Sequence, residues 1–358
     1  WQPLRPADVA ALSALGRPAM VEFTAQWCIN CKVLEKTTYE DSAVVQAVAR
    51  SGVVALQADL TRPEPALEHL LASYGGVGLP FVVLLDRNGR SKPFDGVPLG
   101  LKDTIDTADM PTELGDPEIF PGRQPKLDAP VVTMARNLGF NVLGKNTVSR
   151  HAIMLPGPAR NPHDLTRTPA ASSAGSGAAV ADFMTPRSIG TQTAGSILRP
   201  SAFCGAVGFK PTLDAIPYVG IRTYSRPLDV IGPICRSVED ATLFMKGFTG
   251  DPRFDTSATL RRDLHVGVWR TKDFDQADPA ALAIFESQLR KLEAAGATVR
   301  TLAMPAVFDG IGEAQDVIMA YDLAREYADI KRNHAEKCDR ELIEYLELGE
   351  SYTAADYA

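Results

Sequence analysis

Apolar and polar positions along the chain fall into two recurring patterns. Short β-prone apolar runs occupy residues 19–25 (A-M-V-E-F-T-A), 53–60 (V-V-A-L-Q-A-D-L) and 80–86 (P-F-V-V-L-L-D). The last of these leads into the turn Arg87-Asn88-Gly89-Arg90. Between them, residues 31–36 and 65–74 carry helical spacing. Further on, residues 97–102 and 141–145 predict strands, and 128–138 and 177–184 predict helices. Residues 188–190 predict a short strand. Toward the end, strands at 265–269 and 298–302 flank an amphipathic helix at 279–295. Residues 314–338 read as one long helix with mixed charge on a solvated face. Helices and strands alternating in this way predict an α/β protein.

The stretch from Ser172 to Ser196 breaks the pattern, reading S-S-A-G-S-G-A-A-V-A-D-F-M-T-P-R-S-I-G-T-Q-T-A-G-S. Its two clusters of Ser, Gly and Ala flank the predicted helix and strand, so both can reach one sheet edge. Thr193-Ala194-Gly195-Ser196 then opens a helix at Ile197-Leu198. A tight small-residue turn there leaves backbone N–H groups unpaired and aimed at one point. Such a nest stabilises an oxyanion beside a serine nucleophile. The same residues also suit a plain capping loop, because Ser and Gly are common at helix starts.

Composition narrows the class. A chain of 358 residues, 45% hydrophobic and 23% charged, describes a globular protein of two or three domains with ample core. A net charge of −7 argues against nucleic-acid binding. No run is long enough to span a bilayer, and the opening W-Q-P-L-R-P is not a signal peptide. A start at Trp without Met reads as a processed or truncated chain.

Five cysteines are present: Cys28, Cys31, Cys204, Cys235 and Cys338. Cys28 and Cys31 form a C-x-x-C where a strand hands over to a helix. No second pair and no His pair follows at ligand spacing, so no zinc site is expected. A cysteine at a helix start has its thiolate favoured, its pKa falling to roughly 7 or below. Cys28 would then attack a substrate disulfide and Cys31 resolve it. The other three cysteines read as buried structural thiols.

Four blocks carry a resemblance. They are G-V-P-L-G-L-K-D-T-I-D (96–106), N-P-H-D-L-T-R-T-P-A-A-S-S-A-G-S (161–176), G-T-Q-T-A-G-S-I-L-R-P-S-A-F-C-G-A-V-G-F-K-P-T (190–212) and L-D-V-I-G-P-I-C-R-S-V-E-D-A (228–241). In this order they resemble the amidase signature family, over about residues 94–358. The resemblance implies a mixed sheet with flanking helices and a Ser-Ser-Lys triad, with Ser196 as nucleophile, Ser172 as the middle member and Lys102 as the base. It also implies an oxyanion hole from the backbone of Thr193, Ala194 and Gly195, and a cis peptide before Ser172. The serines stand 24 positions apart, as the family pattern requires. Ala170, Ala171 and Ala174 stand where the family usually has glycines. The G-T-Q-T-A-G-S block, with Gln192 and Leu198-Arg199-Pro200, looks more like free-standing amidases than the transamidosome component that amidates charged tRNA.

The first part resembles another family. W-C-I-N-C-K, with G-L-P before the strand at 80–86, is similar to the thioredoxin fold, most like the C-terminal domain of DsbD-type thiol–disulfide interchange proteins. That resemblance covers about residues 1–90. It implies Pro80 as the cis-proline facing the disulfide and Glu22 in the place of the buried proton-handling carboxylate, where Asp is more usual. After Arg90 the chain enters the amidase-like strand within a few residues and without a linker. Both parts therefore read as incomplete segments joined together.

Other chemical residues read as support. His151 and His163 with Asp164 could suggest a Ser–His–Asp arrangement, but no G-x-S-x-G elbow surrounds Ser196. Asp103, Asp106 and Arg199 read as scaffold with locally engaged charges, and Lys145 as a surface lysine. The expected function is hydrolysis of a small-molecule carboxylic amide through an acyl-enzyme, chemistry that needs no metal and no organic cofactor. The alternative is thiol–disulfide exchange at Cys28 and Cys31 with a protein disulfide or dithiol partner, the amidase-like part being inert. A non-catalytic binding module has no motif in its favour. The amidase-like part suggests the cytoplasm, the DsbD-like part a periplasmic face.

Overall fold

The computed structural model describes residues 1–153, 155–255 and 264–358. They form two compact units, one of Trp1–Arg222 with Val230–Gly250, the other of Thr223–Asp229 with Asp251–Ala358. The expected division between residues 90 and 94 lies inside the first unit.

The first sheet has four strands: β1 (Gln2–Pro3), β2 (Ala19–Thr24), β3 (Val54–Asp59) and β4 (Phe81–Leu85), in the order β1-β3-β2-β4. β2 pairs parallel with β3 and antiparallel with β4. Val21 and Phe23 point into a core with Leu56, Ala58, Val83 and Leu85, closed by Leu67 and Leu71 of helix α3 (Pro65–Ser73). Alternation of the strand residues thus buries one apolar set. Between β2 and β3 run helices α1 (Ile29–Leu34) and α2 (Ser42–Ser51). The hydrophobic pattern did not single out α2, which Asp41 caps through the N–H groups of Ala43 and Val44. The Leu79–Pro80 peptide is cis, as the resemblance implied.

The second sheet supports the serine-rich stretch. It joins β5 (Pro98–Lys102), β6 (Asn141–Asn146), β7 (Arg187–Gln192), β8 (Val207–Gly208) and β9 (Val230–Cys235), in the order β6-β5-β7-β9-β8. β5 pairs parallel with both β6 and β7, with helix α4 (Pro130–Asn137) between β5 and β6 in the chain, whereas β9 runs antiparallel to β7 and β8. Every residue of β7 and β9 is buried, as expected of central strands covered on both faces. The parallel register brings the carboxyl ends of β5 and β7 to one edge, where ligands of open α/β sheets tend to bind.

Between the two serine clusters, the expected bounds shift. The helix expected at 177–184 is Ala174–Ala181, because Phe183 takes a left-handed φ of 59°. The strand expected at 188–190 is the longer Arg187–Gln192. In the second unit, His265–Val268 pairs parallel with Thr298–Thr301 around the helix Pro279–Ala294. The single long helix expected at 314–338 is not formed. It is broken into Ile311–Glu326 and Ala328–His334 by Tyr327, whose ring is buried and whose backbone (φ −108°, ψ 11°) leaves the helical region. Ile311–Glu326 packs on Arg340–Ser351, with Gly349 so close to the Ala320 carbonyl that a methyl group there would collide.

Candidate active site

Lys102 ends β5 with its side chain 1% exposed. Its Nζ lies 2.7 Å from Ser172 Oγ, 2.7 Å from Thr191 Oγ1 and 3.3 Å from the Thr191 carbonyl oxygen. Thr191 is next to last in β7, so a strand neighbour supplies two polar atoms to the amine. The same carbonyl accepts from Ser173 Oγ at 3.1 Å. Ser172 and Ser173 immediately precede α5 (Ala174–Ala181) and are both buried. One residue of β7 therefore ties together the ends of β5, β7 and the start of α5.

Ser196 lies in the turn between β7 and α6 (Leu198–Phe203), and its Oγ accepts from the Ser172 backbone N–H at 3.5 Å. The turn is held at its exit by Gln192, whose Oε1 accepts from the N–H groups of Ile197 (2.8 Å) and Leu198 (3.0 Å). Arg199 adds two contacts, from its N–H to the Gly195 carbonyl (2.8 Å) and from its guanidinium to the Ala194 carbonyl (3.1 Å). Among the described residues, none accepts a hydrogen bond from the N–H of Ala194, Gly195 or Ser196. Gly195 has φ 117°, open to glycine and strained for other residues. A serine oxygen beside such N–H groups, with a buried amine behind a second serine, can attack a carbonyl and hold the resulting oxyanion.

Two expectations are corrected here. The peptide before Ser172 is not cis, since the one cis bond among the described residues is Leu79–Pro80. Instead Ala170 (φ 64°) and Ala171 (φ 51°), immediately ahead of Ser172, both take the left-handed region. Lys145 is not a surface lysine. Its side chain is 12% exposed, and its Nζ donates to Thr112 Oγ1 (2.6 Å) and to the Ile105 carbonyl. Burial pushes this ammonium down to about 8. It ties the segment after Lys102 to β6. An alternating strand pattern gives no sign of that.

The remaining polar groups are engaged locally. Asp106 holds Arg123 through two oxygens, at 2.7 and 3.1 Å. Asp103 accepts from the N–H groups of Glu113 and Gly115. His151 does not meet Asp164. Its Nε2 lies 2.8 Å from Asp116 Oδ2, and both side chains are buried. His163 Nε2 lies 2.9 Å from the Cys204 carbonyl oxygen, and Asp164 engages Thr166 and Arg167. Sequence reasoning missed Thr191 and Asp116. A polar residue near the carboxyl end of a central strand was the signal available for Thr191.

Beyond the end of β2, at the start of α1, Cys28 and Cys31 form a disulfide with Cα atoms 5.3 Å apart. Cys28 precedes α1, and its Sγ accepts from the Cys31 N–H at 3.2 Å. Both sulfurs are buried against Ala25 and Leu79, while Trp27 and Ile29 beside them are exposed. Glu22 is fully buried, and burial raises its carboxyl above the usual range although Gln57 Nε2 donates to Oε2 at 3.0 Å. Its Oε1 has no hydrogen-bond partner among the described residues. Cys204 and Cys235 are buried, their thiols pushed up by burial to about 11 and about 12. Cys338 departs from the expectation of a buried thiol: it is half-buried, with Sγ 3.3 Å from the His334 carbonyl oxygen. Among the described residues no helix is long and apolar enough to cross a membrane, and no cluster of His, Cys, Asp and Glu is arranged to hold a metal.

Comparison with known proteins bears on both segments. A family model described as Amidase matches residues 84–347, and one described as Thioredoxin-like matches residues 1–87. The two families therefore adjoin within one chain. Among curated proteins, a glutamyl-tRNA(Gln) amidotransferase subunit of Acidothermus cellulolyticus is 40% identical over 236 residues, covering 60% of this chain and 46% of the relative. The protein of the same name from Anaeromyxobacter dehalogenans is 35% identical over 269 residues, covering 67% and 54%. The chain spans about half the length of these relatives. Among solved structures, one described as an amidase aligns with a TM-score of 0.67 at 28% identity, over 82% of this chain and 64% of that one. The peptide amidase of Stenotrophomonas maltophilia aligns at 0.62 and 27%, over 74% and 64%. With a thioredoxin-like segment ahead of the matched region, the chain belongs to the amidase family.

Proposed function

We propose that the chain hydrolyses a small-molecule carboxylic amide through an acyl-enzyme on Ser196. The observation that carries this reading is the buried contact between Lys102 Nζ and Ser172 Oγ at 2.7 Å, with the Ser172 N–H on Ser196 Oγ. Lys102 Nζ takes the Ser172 proton while Ser172 takes that of Ser196. Ser196 Oγ bonds to the amide carbon, and the carbonyl π pair moves to oxygen. The N–H groups of the turn at Thr193, Ala194 and Gly195, with that of Ser196, hold that charge. Collapse breaks the C–N bond, and the relay returns its proton to the departing amine. Water then cleaves the ester by the same route. Residues 94–358 are the segment to which this chemistry belongs. The net charge of −7 favours a small substrate over a nucleic acid.

A second reading rests on the Cys28–Cys31 pair, within residues 1–90. In the reduced form the Cys28 thiolate attacks a partner protein's disulfide, and Cys31 resolves the mixed disulfide. Two electrons pass to the partner, and the internal disulfide re-forms. Pro80 and the buried Glu22 would flank that exchange.

The test is covalent labelling of the purified chain with a serine-directed fluorophosphonate, read by mass spectrometry at the peptide containing Ser196. Labelling abolished by Lys102→Ala and untouched by Cys28→Ser is the expected result. A soluble chain that reduces disulfides but never labels at Ser196 would transfer the function to the cysteines.

A further inference from the structure

The last two residues of β7 face opposite sides of the strand, as pleating requires. Thr191 meets Lys102, whereas Gln192 meets the turn that carries Ser196. Gln192 is 6% exposed, and its Oε1 takes the N–H groups of both Ile197 and Leu198. These are orphan donors of the first turn of α6, which helices ordinarily cap with a local Ser, Thr, Asp or Asn. Here the cap comes from five residues upstream, from the end of a rigid central strand. Residues 193–196 are thereby closed into a loop pinned at both ends to β7. The N–H groups of Ala194, Gly195 and Ser196 stay outside this bonding and outside any other among the described residues.

We infer that Gln192 is a positioning residue for the nucleophile loop: its amide oxygen fixes Ser196 Oγ and the loop N–H groups relative to the Ser172–Lys102 pair. It touches no reacting atom, and the inference rests on the amidase reading above. Reach explains the residue type. Glu would span the same distance with the same acceptor, Asn would fall one methylene short, and Met would fill the space without a comparable acceptor. A displacement of about 1 Å at a reacting centre costs on the order of 100-fold in rate.

The experiment measures the second-order rate of fluorophosphonate labelling at Ser196 and the thermal midpoint for the wild-type chain, Gln192→Met, Gln192→Asn and Gln192→Glu. Gln192→Met and Gln192→Asn are expected to label about 100-fold more slowly at a near-native midpoint. Gln192→Glu is expected to regain most of the rate. Should Gln192→Met not fold, Gln192→Asn carries the comparison with Gln192→Glu. Labelling of Gln192→Met or Gln192→Asn at the wild-type rate would overturn the inference while leaving the amidase reading intact. So would a folded Gln192→Glu as slow as Gln192→Asn. An unlabelled wild-type chain would sink both.

Discussion

Lys102 Nζ and Ser172 Oγ lie 2.7 Å apart across 70 residues of sequence, both buried, one at the end of a central strand and the other ahead of a helix. A buried amine in such a contact has little freedom to turn elsewhere, since Thr191 occupies it from the other side. Lys102→Met, close in shape but without a base, should slow Ser196 labelling by at least about 100-fold, the low end of what a general base contributes. Labelling at the native rate in a folded Lys102→Met chain would remove Lys102 from the relay.

Ala170 and Ala171 hold left-handed backbone, at φ 64° and 51°. Each methyl group in that region costs roughly 1–2 kcal/mol against glycine, part of which glycine returns as unfolded-state entropy. Ala170→Gly and Ala171→Gly should each raise stability by about 1 kcal/mol in chemical denaturation. A loss of stability in both would show that the turn does not need this conformation.

Lys145 sheds its proton at about 8 in the folded chain, below the ordinary 10.5. Between these values the unfolded chain still holds the proton that the folded chain has lost, so stability rises with pH across that window. Lys145→Met should remove the rise. Denaturant midpoints for both chains from pH 7 to 10 would check it, and parallel curves would contradict the burial seen here.

Glu22 has the opposite sign. Its carboxyl is raised by burial, so on going above the ordinary carboxylate range the unfolded chain ionises first and stability is lost as pH climbs toward the folded value. Glu22→Gln keeps an oxygen for Gln57 and cannot ionise. It should match the wild type in acid and exceed it at neutral pH. A wild type more stable than Glu22→Gln at neutral pH would count against a carboxyl buried in this way.

Much of the site could be read without coordinates because its elements announce themselves locally. The apolar runs at β2, β3, β4 and β5 have strand length and β-prone residues, and the small-residue clusters around Ser172 and Ser196 bracket a helix and a strand. The C-x-x-C at a strand-to-helix step placed Cys28 and Cys31 together by sequence distance alone. These are short-range properties, decided within a few residues of each chain position.

Which distant groups share each polar atom is a matter of packing. Thr191 and Gln192 look alike in a strand, yet register with β5 turns one to Lys102 and leaves the other to the Ser196 loop. Lys145 reads as solvated until residues 105–112 fold over it, and His151 finds Asp116, 35 positions earlier, and not the aspartate at 164. The helix expected to run unbroken past residue 327 gives way at Tyr327, whose ring is buried and whose backbone leaves the helical region, a tertiary placement that local helix propensity does not encode. The order of residues was enough for the family blocks and most of the elements. Burial and long-range pairing chose the partners, since a buried polar group must take whichever donor or acceptor the packed chain brings within reach.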